Sequence, residues 1–255
     1  MKVVVIGGSG FIGSKLVNLL RMRGHQIVAA SPNTGINTLT GEGLAQALAN
    51  AQVVVDVANS PSFDDKAAMD FFVTSGHNLI AAEKAAGVKH HVVLSIVGTQ
   101  RLVDSGYMRA KAAQENLIKT SGIPYTIVES TQFYEFIERI AESGRDGDVY
   151  RLSPALMQPV SSDEVVETLA DIALGPPFNG TVEIGGPDAI PLDELARQVF
   201  VMRRDPRQIV PDMHARYYGA ELNDRSLIPG PEARLGTRKF NDWLRDSVLP
   251  DRLRL

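Results

Sequence analysis

Three side chains that could share a proton-transfer reaction lie close together in the sequence: Ser95, Tyr107 and Lys111. Tyr107 and Lys111 are four residues apart, so on a helix their side chains share one face. A phenol ordinarily has a pKa of about 10, and a neighbouring cation lowers that pKa. Tyr107 could therefore donate a proton to a carbonyl oxygen as the carbon accepts a hydride, while Ser95 holds the oxygen by a hydrogen bond.

A structural interpretation of these residues stays open at this point. Ser95 would then satisfy the end of a strand, and Lys111 would lie at the surface with its alkyl stem over apolar groups. Their position favours a catalytic role over a structural one, because Ser95 is the last residue of an apolar strand and the helix carrying Tyr107 follows that strand. All three would reach the carboxyl edge of a sheet, where doubly wound folds bind ligands.

A glycine-rich turn near the N-terminus has the spacing of a dinucleotide-binding loop. It follows an apolar strand and opens a helix, so its backbone amides could approach a pyrophosphate at the positive end of that helix. The predicted pyrophosphate-binding residues are Gly7, Gly8, Ser9, Gly10, Phe11, Ile12 and Gly13. A cofactor bound here would supply the hydride.

The charge around this turn favours NADP over NAD, although NAD stays possible. No Asp or Glu precedes Glu42, so the carboxylate that would bind a ribose 2′-hydroxyl is missing and a 2′-phosphate is tolerated. Ser31 and Asn33 are predicted hydrogen-bond donors to that phosphate, with Lys15 as the cation. Asn59 follows a strand at the place where the nicotinamide-side ribose would pass.

Short apolar strands alternate with helices, which predicts an α/β fold with a doubly wound parallel sheet. Strands are expected at 2–6, 26–30, 53–57, 91–95, 125–128 and 182–184. Helices are expected after residue 13 and at 70–86, 107–120, 162–174 and 191–202. Residues 1–152 would bind the dinucleotide, and 153–255 would form a smaller C-terminal lobe that covers the substrate within one compact unit. The tail after Asp205 looks irregular.

Composition narrows the function classes. The chain has 255 residues, no cysteine and a formal net charge of −4, which argues against thiol chemistry, a cysteine-based metal site or a general nucleic-acid binder. No apolar run is long enough to span a membrane, so we expect a cytoplasmic protein that acts on a small molecule. No metal site is predicted, since the adjacent His90 and His91 should point to opposite faces of a strand.

With these motifs in place, the chain resembles the short-chain dehydrogenase/reductase superfamily, and more closely its atypical NmrA-like branch. The likeness extends to the stretches 121–128, 131–134, 159–165 and 183–187. It implies a Rossmann-type fold, bound NADP or NAD, and reductase activity in many members. It also implies that Lys111 holds the nicotinamide ribose and that Phe133 and Tyr134 lie towards the substrate cleft. Core packing of these two rings stays an equal alternative.

Three functions stay open. The first is an NAD(P)H-dependent reductase of a carbonyl, quinone or activated double bond. The second is a non-catalytic NADP(H) sensor that regulates a partner, because the branch also contains such regulators. The third is a nucleotide-sugar epimerase, which usually needs a longer C-terminal lobe. The sequence does not determine the substrate or the oligomeric state.

Overall fold

The computed structural model describes residues 1–248, which form an α/β fold. In this part of the chain the strands are β1 (Lys2–Ile6), β2 (Gln26–Ala30), β3 (Val53–Asp56), β4 (His90–Ile96), β5 (Tyr125–Ser130), β6 (Arg145–Asp146), β7 (Val149–Leu152), β8 (Leu156–Met157), β9 (Gly180–Gly185), β10 (Ile190–Pro191), β11 (Gln208–Pro211), β12 (Arg216–Tyr217), β13 (Ala220–Glu221) and β14 (Arg234–Leu235). The helices are α1 (Phe11–Met22), α2 (Leu44–Leu48), α3 (Asp65–Ala86), α4 (Gly106–Lys119), α5 (Ile137–Glu142), α6 (Ser162–Leu174), α7 (Leu192–Met202) and α8 (Phe240–Val248). Short 3-10 helices cover Pro32–Thr34 and Tyr134–Phe136.

The central sheet has seven strands in the order β14-β9-β5-β4-β3-β1-β2. Strand β1 pairs in parallel with both β2 and β3, and β3 pairs in parallel with β4. From β1 the chain first adds β2 on one side and then crosses to β3 on the other, so the strand order reverses beside β1. The predicted doubly wound parallel sheet is confirmed, and its carboxyl edge beside β1 is the place where such sheets bind ligands.

Burial on both faces explains why the first strands read as continuous valine runs. Val3, Val4 and Val5 have no exposed surface, as expected for parallel strands that are covered by helices on each side. One face packs Val4 and Val54 against Leu79 of α3. Both faces are thus closed to water, and polar side chains that face into the sheet need protein partners.

The described chain forms two compact units that interleave along the sequence. Unit 1 contains Met1–Ser95, Gly106–Glu129 and Asp163–Val182, and unit 2 contains Ile96–Ser105, Ser130–Ser162 and the described residues from 183 onwards. No border falls at residue 152, so the chain does not divide there into two successive pieces. The division of labour between a cofactor-binding and a substrate-covering region stays a prediction.

The C-terminal half is more regular than the sequence predicted. The strand expected at 182–184 joins the central sheet as β9, and α6 belongs to unit 1 with β1 and α1. An irregular segment was expected after Asp205, but the described residues 206–248 contain β11 to β14 and α8; the remainder of that tail, 249–255, lies outside the described residues. Most of these strands have two residues, which is too short to show an alternating pattern.

The two adjacent histidines at the start of β4 are buried in the core. His91 Nδ1 lies 2.8 Å from Glu83 Oε1 on α3, and both side chains are buried. His90 Nε2 lies 2.9 Å from Thr126 Oγ1, and burial lowers the pKa of His90 to about 4. Each histidine therefore has its own protein partner. No group of three or more potential ligands within residues 1–248 could hold a metal ion.

Across residues 1–248, no helix is both long and apolar enough to cross a membrane.

Candidate active site

The glycine turn after β1 is held by close backbone packing. Gly7 has a φ of +76°, and a Cβ there would lie 2.9 Å from the backbone of Ala58. A Cβ on Gly8 would lie 2.8 Å from Ala29 Cα, and one on Gly13 would lie 2.1 Å from the Gly7 carbonyl oxygen. Three of the four glycines are thus required by the packing of β1, α1 and the β3–α3 loop.

Gly10 is the exception. Its φ and ψ are −78° and −179°, an extended conformation open to any residue. A Cβ at this position would meet the Gly7 carbonyl oxygen at 3.2 Å and no other atom within 4 Å. Ser9, Gly10 and Phe11 are exposed, and Ile12 is buried in the core. A glycine that packing does not require fits a site where a ligand approaches the backbone closely.

The start of α1 is suited to an anion. The first turn contains no acidic residue, and the earliest i→i−4 bond runs from the Ser14 amide to the Gly10 carbonyl. The amides before Ser14 lie at the positive end of the helix dipole. This arrangement fits the diphosphate of a dinucleotide, so the residues present match the predicted cofactor.

The residues predicted to bind a 2′-phosphate differ in their exposure and in their contacts. Ser31 directly follows β2 and is buried, whereas Asn33 is exposed in the 3-10 helix that comes next. The Lys15 amino group contacts Asp163 Oδ1 on α6 at 2.6 Å and lies 4.8 Å from the centre of the Phe11 ring. Lys15 is therefore committed to an ion pair within unit 1, with about a third of its side chain exposed.

Tyr107 lies in the first turn of α4, and its hydroxyl donates a hydrogen bond of 2.7 Å to Asn59 Oδ1. Its ring packs against Phe63 at 5.0 Å and Phe72 at 6.0 Å between ring centres. Asn59 directly follows Ala58, whose backbone touches Gly7. The β3–α3 loop therefore links the glycine turn to Tyr107, although the sequence predicted Asn59 as a ribose contact.

Lys111 lies one turn further along α4, and its side chain is 3% exposed. Its amino group donates to the Leu94 carbonyl oxygen at 2.9 Å and to Gln114 Oε1 at 2.5 Å, and lies 4.7 Å from the centre of the Phe72 ring. Burial lowers the pKa of Lys111 to about 8, while the charge of Asp56 opposes that shift. Lys111 is buried rather than spread over the surface.

Ser95 is hydrogen-bonded within the core. Its hydroxyl donates to Glu115 Oε1 at 2.6 Å, and both side chains are about 1% exposed. Lys119 contacts the other carboxylate oxygen of Glu115 at 3.1 Å. The structure therefore brings Tyr107 and Lys111 onto one helix face at the sheet edge, and it gives Ser95 a partner that the sequence analysis did not consider.

Two polar side chains beside Lys111 were missed from the sequence. Gln114 Nε2 donates to Asp56 Oδ2 at 2.9 Å, and Asp56 Oδ1 accepts the Ala58 amide at 3.0 Å. Asp56 ends the buried strand β3, and Gln114 lies seven residues after Tyr107 on the same face of α4. An acidic residue that ends a valine run and a polar residue at helical spacing were the available signals.

The predicted substrate residues lie in unit 2, and both are buried. The Tyr134 hydroxyl donates to the Arg238 carbonyl oxygen at 2.6 Å, and its ring packs against Phe240 and Trp243. Phe133 is 9% exposed and packs on Phe136. Within unit 2 these contacts are those of a core.

Comparison with known proteins identifies the family and the fold of this chain. Residues 7–173 match the model of a protein family described as NAD(P)H-binding. A solved structure of a short-chain dehydrogenase/reductase superfamily protein from Agrobacterium tumefaciens with bound NAD has a TM-score of 0.70 and 17% identity, covering 97% of this chain and 96% of that chain. At this identity the likeness concerns the fold.

Two curated relatives have different functions. A chloroplastic divinyl chlorophyllide a 8-vinyl-reductase from Oryza sativa subsp. indica is 28% identical over 245 residues, covering 81% of this chain and 60% of the relative. The photosystem II assembly factor Ycf39 from Cyanophora paradoxa is 26% identical over 149 residues, covering 53% of this chain and 46% of the relative. The chain thus spans about half the length of the curated relatives it matches. It belongs to the NAD(P)H-binding family, and its fold is that of the short-chain dehydrogenase/reductase superfamily.

Proposed function

We propose that this protein is an NAD(P)H-dependent reductase of the NmrA-like branch that acts on a carbonyl, a quinone or an activated double bond. The observation that carries the proposal is the Tyr107 hydroxyl, which is hydrogen-bonded at 2.7 Å to the loop that also touches the glycine turn. A tyrosine one helical turn before a buried lysine supports a role in general acid catalysis.

The proposed roles follow from the contacts of each side chain. When bound, NADPH or NADH supplies the hydride that forms the new C–H bond of the product. Asn59 accepts the Tyr107 hydroxyl hydrogen in the structure, so the hydroxyl would have to turn from Asn59 to the substrate oxygen before donating its proton, which it then recovers from water. Lys111 is the cation one helical turn away from this phenol on α4. Ser95 would have to give up its bond to Glu115 before it could hold the substrate oxygen.

A sensor that binds the dinucleotide without turnover is the second candidate. It is favoured by the commitment of the Ser95 hydroxyl to Glu115 and of the Lys111 amino group to Leu94 and Gln114. One relative is named a reductase and the other an assembly factor, so the relatives represent both kinds of role.

We expect the protein to oxidise NADPH steadily when it is offered a panel of aldehydes, ketones, quinones and conjugated alkenes. The loss of absorbance of the reduced nicotinamide measures this turnover. Heat-inactivated protein gives the background rate. Binding of NADPH without oxidation above that background by any member of the panel would favour the sensor instead.

We expect NADPH to bind about 3–10-fold more tightly than NADH, because no carboxylate before Glu42 opposes a 2′-phosphate. The preference is modest, since Lys15 already pairs with Asp163. Fluorescence titration with both cofactors measures it. Asp163→Asn should widen the preference by removing the carboxylate that faces Lys15, whereas the matched change Asp171→Asn removes a partner of Arg23 on the same helix and should not. Tighter binding of NADH by the unmodified protein would contradict the charge argument.

A further inference from the structure

A buried chain of hydrogen bonds runs from β3 to the lysine of α4. The Ala58 amide donates to Asp56 Oδ1, Gln114 Nε2 donates to Asp56 Oδ2, and Lys111 donates to Gln114 Oε1. The three side chains are between 2% and 5% exposed. Each bond has a defined direction, because the carboxylate can only accept and the ammonium can only donate.

We propose that Asp56 and Gln114 are positioning residues for Lys111, fixing the location and protonation of its amino group and tying it to the loop that contacts the glycine turn. The inference deepens the proposed function and rests on it, because that function gives Lys111 its role. Asp56 is linked to the lysine by hydrogen bonds through the amide of Gln114, and its charge also acts on the lysine through space.

The direction of the amide is the central step of the argument. A carboxylate at Asp56 requires the NH2 group of Gln114 to face it, and this turns the amide oxygen towards Lys111. Hydrogen bonds in such a chain polarise one another, so the charge of Asp56 makes the Gln114 oxygen a stronger acceptor. The lysine is thereby held as a hydrogen-bond donor to Gln114.

The charges around Lys111 are compatible with this role. Asp56 on β3 and Glu115 on α4 both favour the ammonium, and burial opposes it, so the pKa of Lys111 is lowered to about 8. On the neighbouring elements, Glu83 of α3 pairs with His91 of β4, and Tyr107 shares the helix face of Lys111. Burial therefore brings the free energies of the charged and neutral lysine closer together than they are in water, so the hydrogen bond to Gln114 bears on which form is present.

The proposal predicts the effect of Asp56→Asn. The amide placed at position 56 keeps its oxygen on the Ala58 amide and presents its NH2 group to Gln114. Gln114 must then reverse, and its own NH2 group faces Lys111. The titration midpoint of Lys111 should fall by about one unit or more, and the pH profile of kcat should move with it.

A double variant provides the rescue. The variant Asp56→Asn with Gln114→Glu moves the carboxylate from position 56 to position 114 of the hydrogen-bond network. The amide at 56 then donates to that carboxylate, and Lys111 again has an acceptor. The midpoint should return to the wild-type value or rise above it, and kcat should recover. The matched control Asp70→Asn removes an exposed carboxylate of α3 and should leave the Lys111 midpoint within about 0.2 units.

The midpoint is measured by NMR on protein labelled with ¹³C at the lysine Cε, with Lys111→Met used to assign the signal. Circular dichroism establishes that each variant is folded. An unmoved midpoint in folded Asp56→Asn, or no recovery in the folded double variant, would overturn the proposal. The NMR titration needs no turnover, so it decides the positioning role even if the wild type reduces no member of the panel and the proposed function fails.

Discussion

Tyr107→Phe is expected to lower kcat on a carbonyl substrate by about 10²–10⁴-fold, the range typical of a lost general acid. The affinity for NADPH should change little, because the hydroxyl contacts Asn59 and the ring remains packed on Phe63 and Phe72. Stability should fall by about 1 kcal/mol at most, since one partly exposed hydrogen bond is lost. Steady-state kinetics and NADPH titration together separate the chemical step from binding.

Tyr125→Phe is the matched control, because it removes a hydroxyl from unit 1 at the start of β5 while keeping a ring that packs on Val93, Ile118 and Ile127. Its kcat should match the wild type. Lys111→Met should lower both kcat and NADPH affinity, and its effect on kcat should not add to that of Tyr107→Phe if the two act as one unit. Full activity of Tyr107→Phe on a carbonyl that the wild type reduces would leave the tyrosine with a packing role alone.

Strong periodic signals made the core of unit 1 predictable from the sequence. The strand at 2–6 and the helix at 162–174 were placed with the bounds that the structure shows, and α3 begins five residues before the predicted start at Asp70. The Val-rich strands are continuous because both faces are buried. The strand at 182–184 was found, but local pattern could not show that it extends the central sheet, since pairing depends on distant residues.

The candidate site was predictable only where spacing along one element decides the contact. Tyr107 and Lys111 share a face because a helix repeats every 3.6 residues. Gln114 and Glu115 lie on that same face, but their partners Asp56 and Ser95 come from neighbouring strands. The alignment of Asp56 with Val93 across β3 and β4 brings those partners to one place, and a single sequence does not contain that register.

Gly10→Val is expected to weaken NADPH binding by about 100-fold or more while the protein stays folded. The backbone at Gly10 is extended, and the nearest atom to a new Cβ is the Gly7 carbonyl oxygen at 3.2 Å, which a small shift relieves. The branched side chain would project from the exposed start of α1, where the diphosphate must approach the amides. NADPH fluorescence gives the dissociation constant, and thermal unfolding followed by circular dichroism checks the fold.

Comparing Gly13→Ala with Gly10→Val distinguishes a glycine that backbone packing requires from a glycine that ligand binding requires. The Cβ of Gly13→Ala would lie 2.1 Å from the Gly7 carbonyl oxygen and 2.8 Å from Gly8 Cα, so the β1–α1 connection must shift and the unfolding temperature should fall sharply. Gly10→Val should instead lose binding at nearly unchanged unfolding temperature, because only the ligand competes for its space. If Gly10→Val binds NADPH as tightly as the wild type, the diphosphate does not lie at the start of α1. Tyr107 would then have no hydride donor beside it.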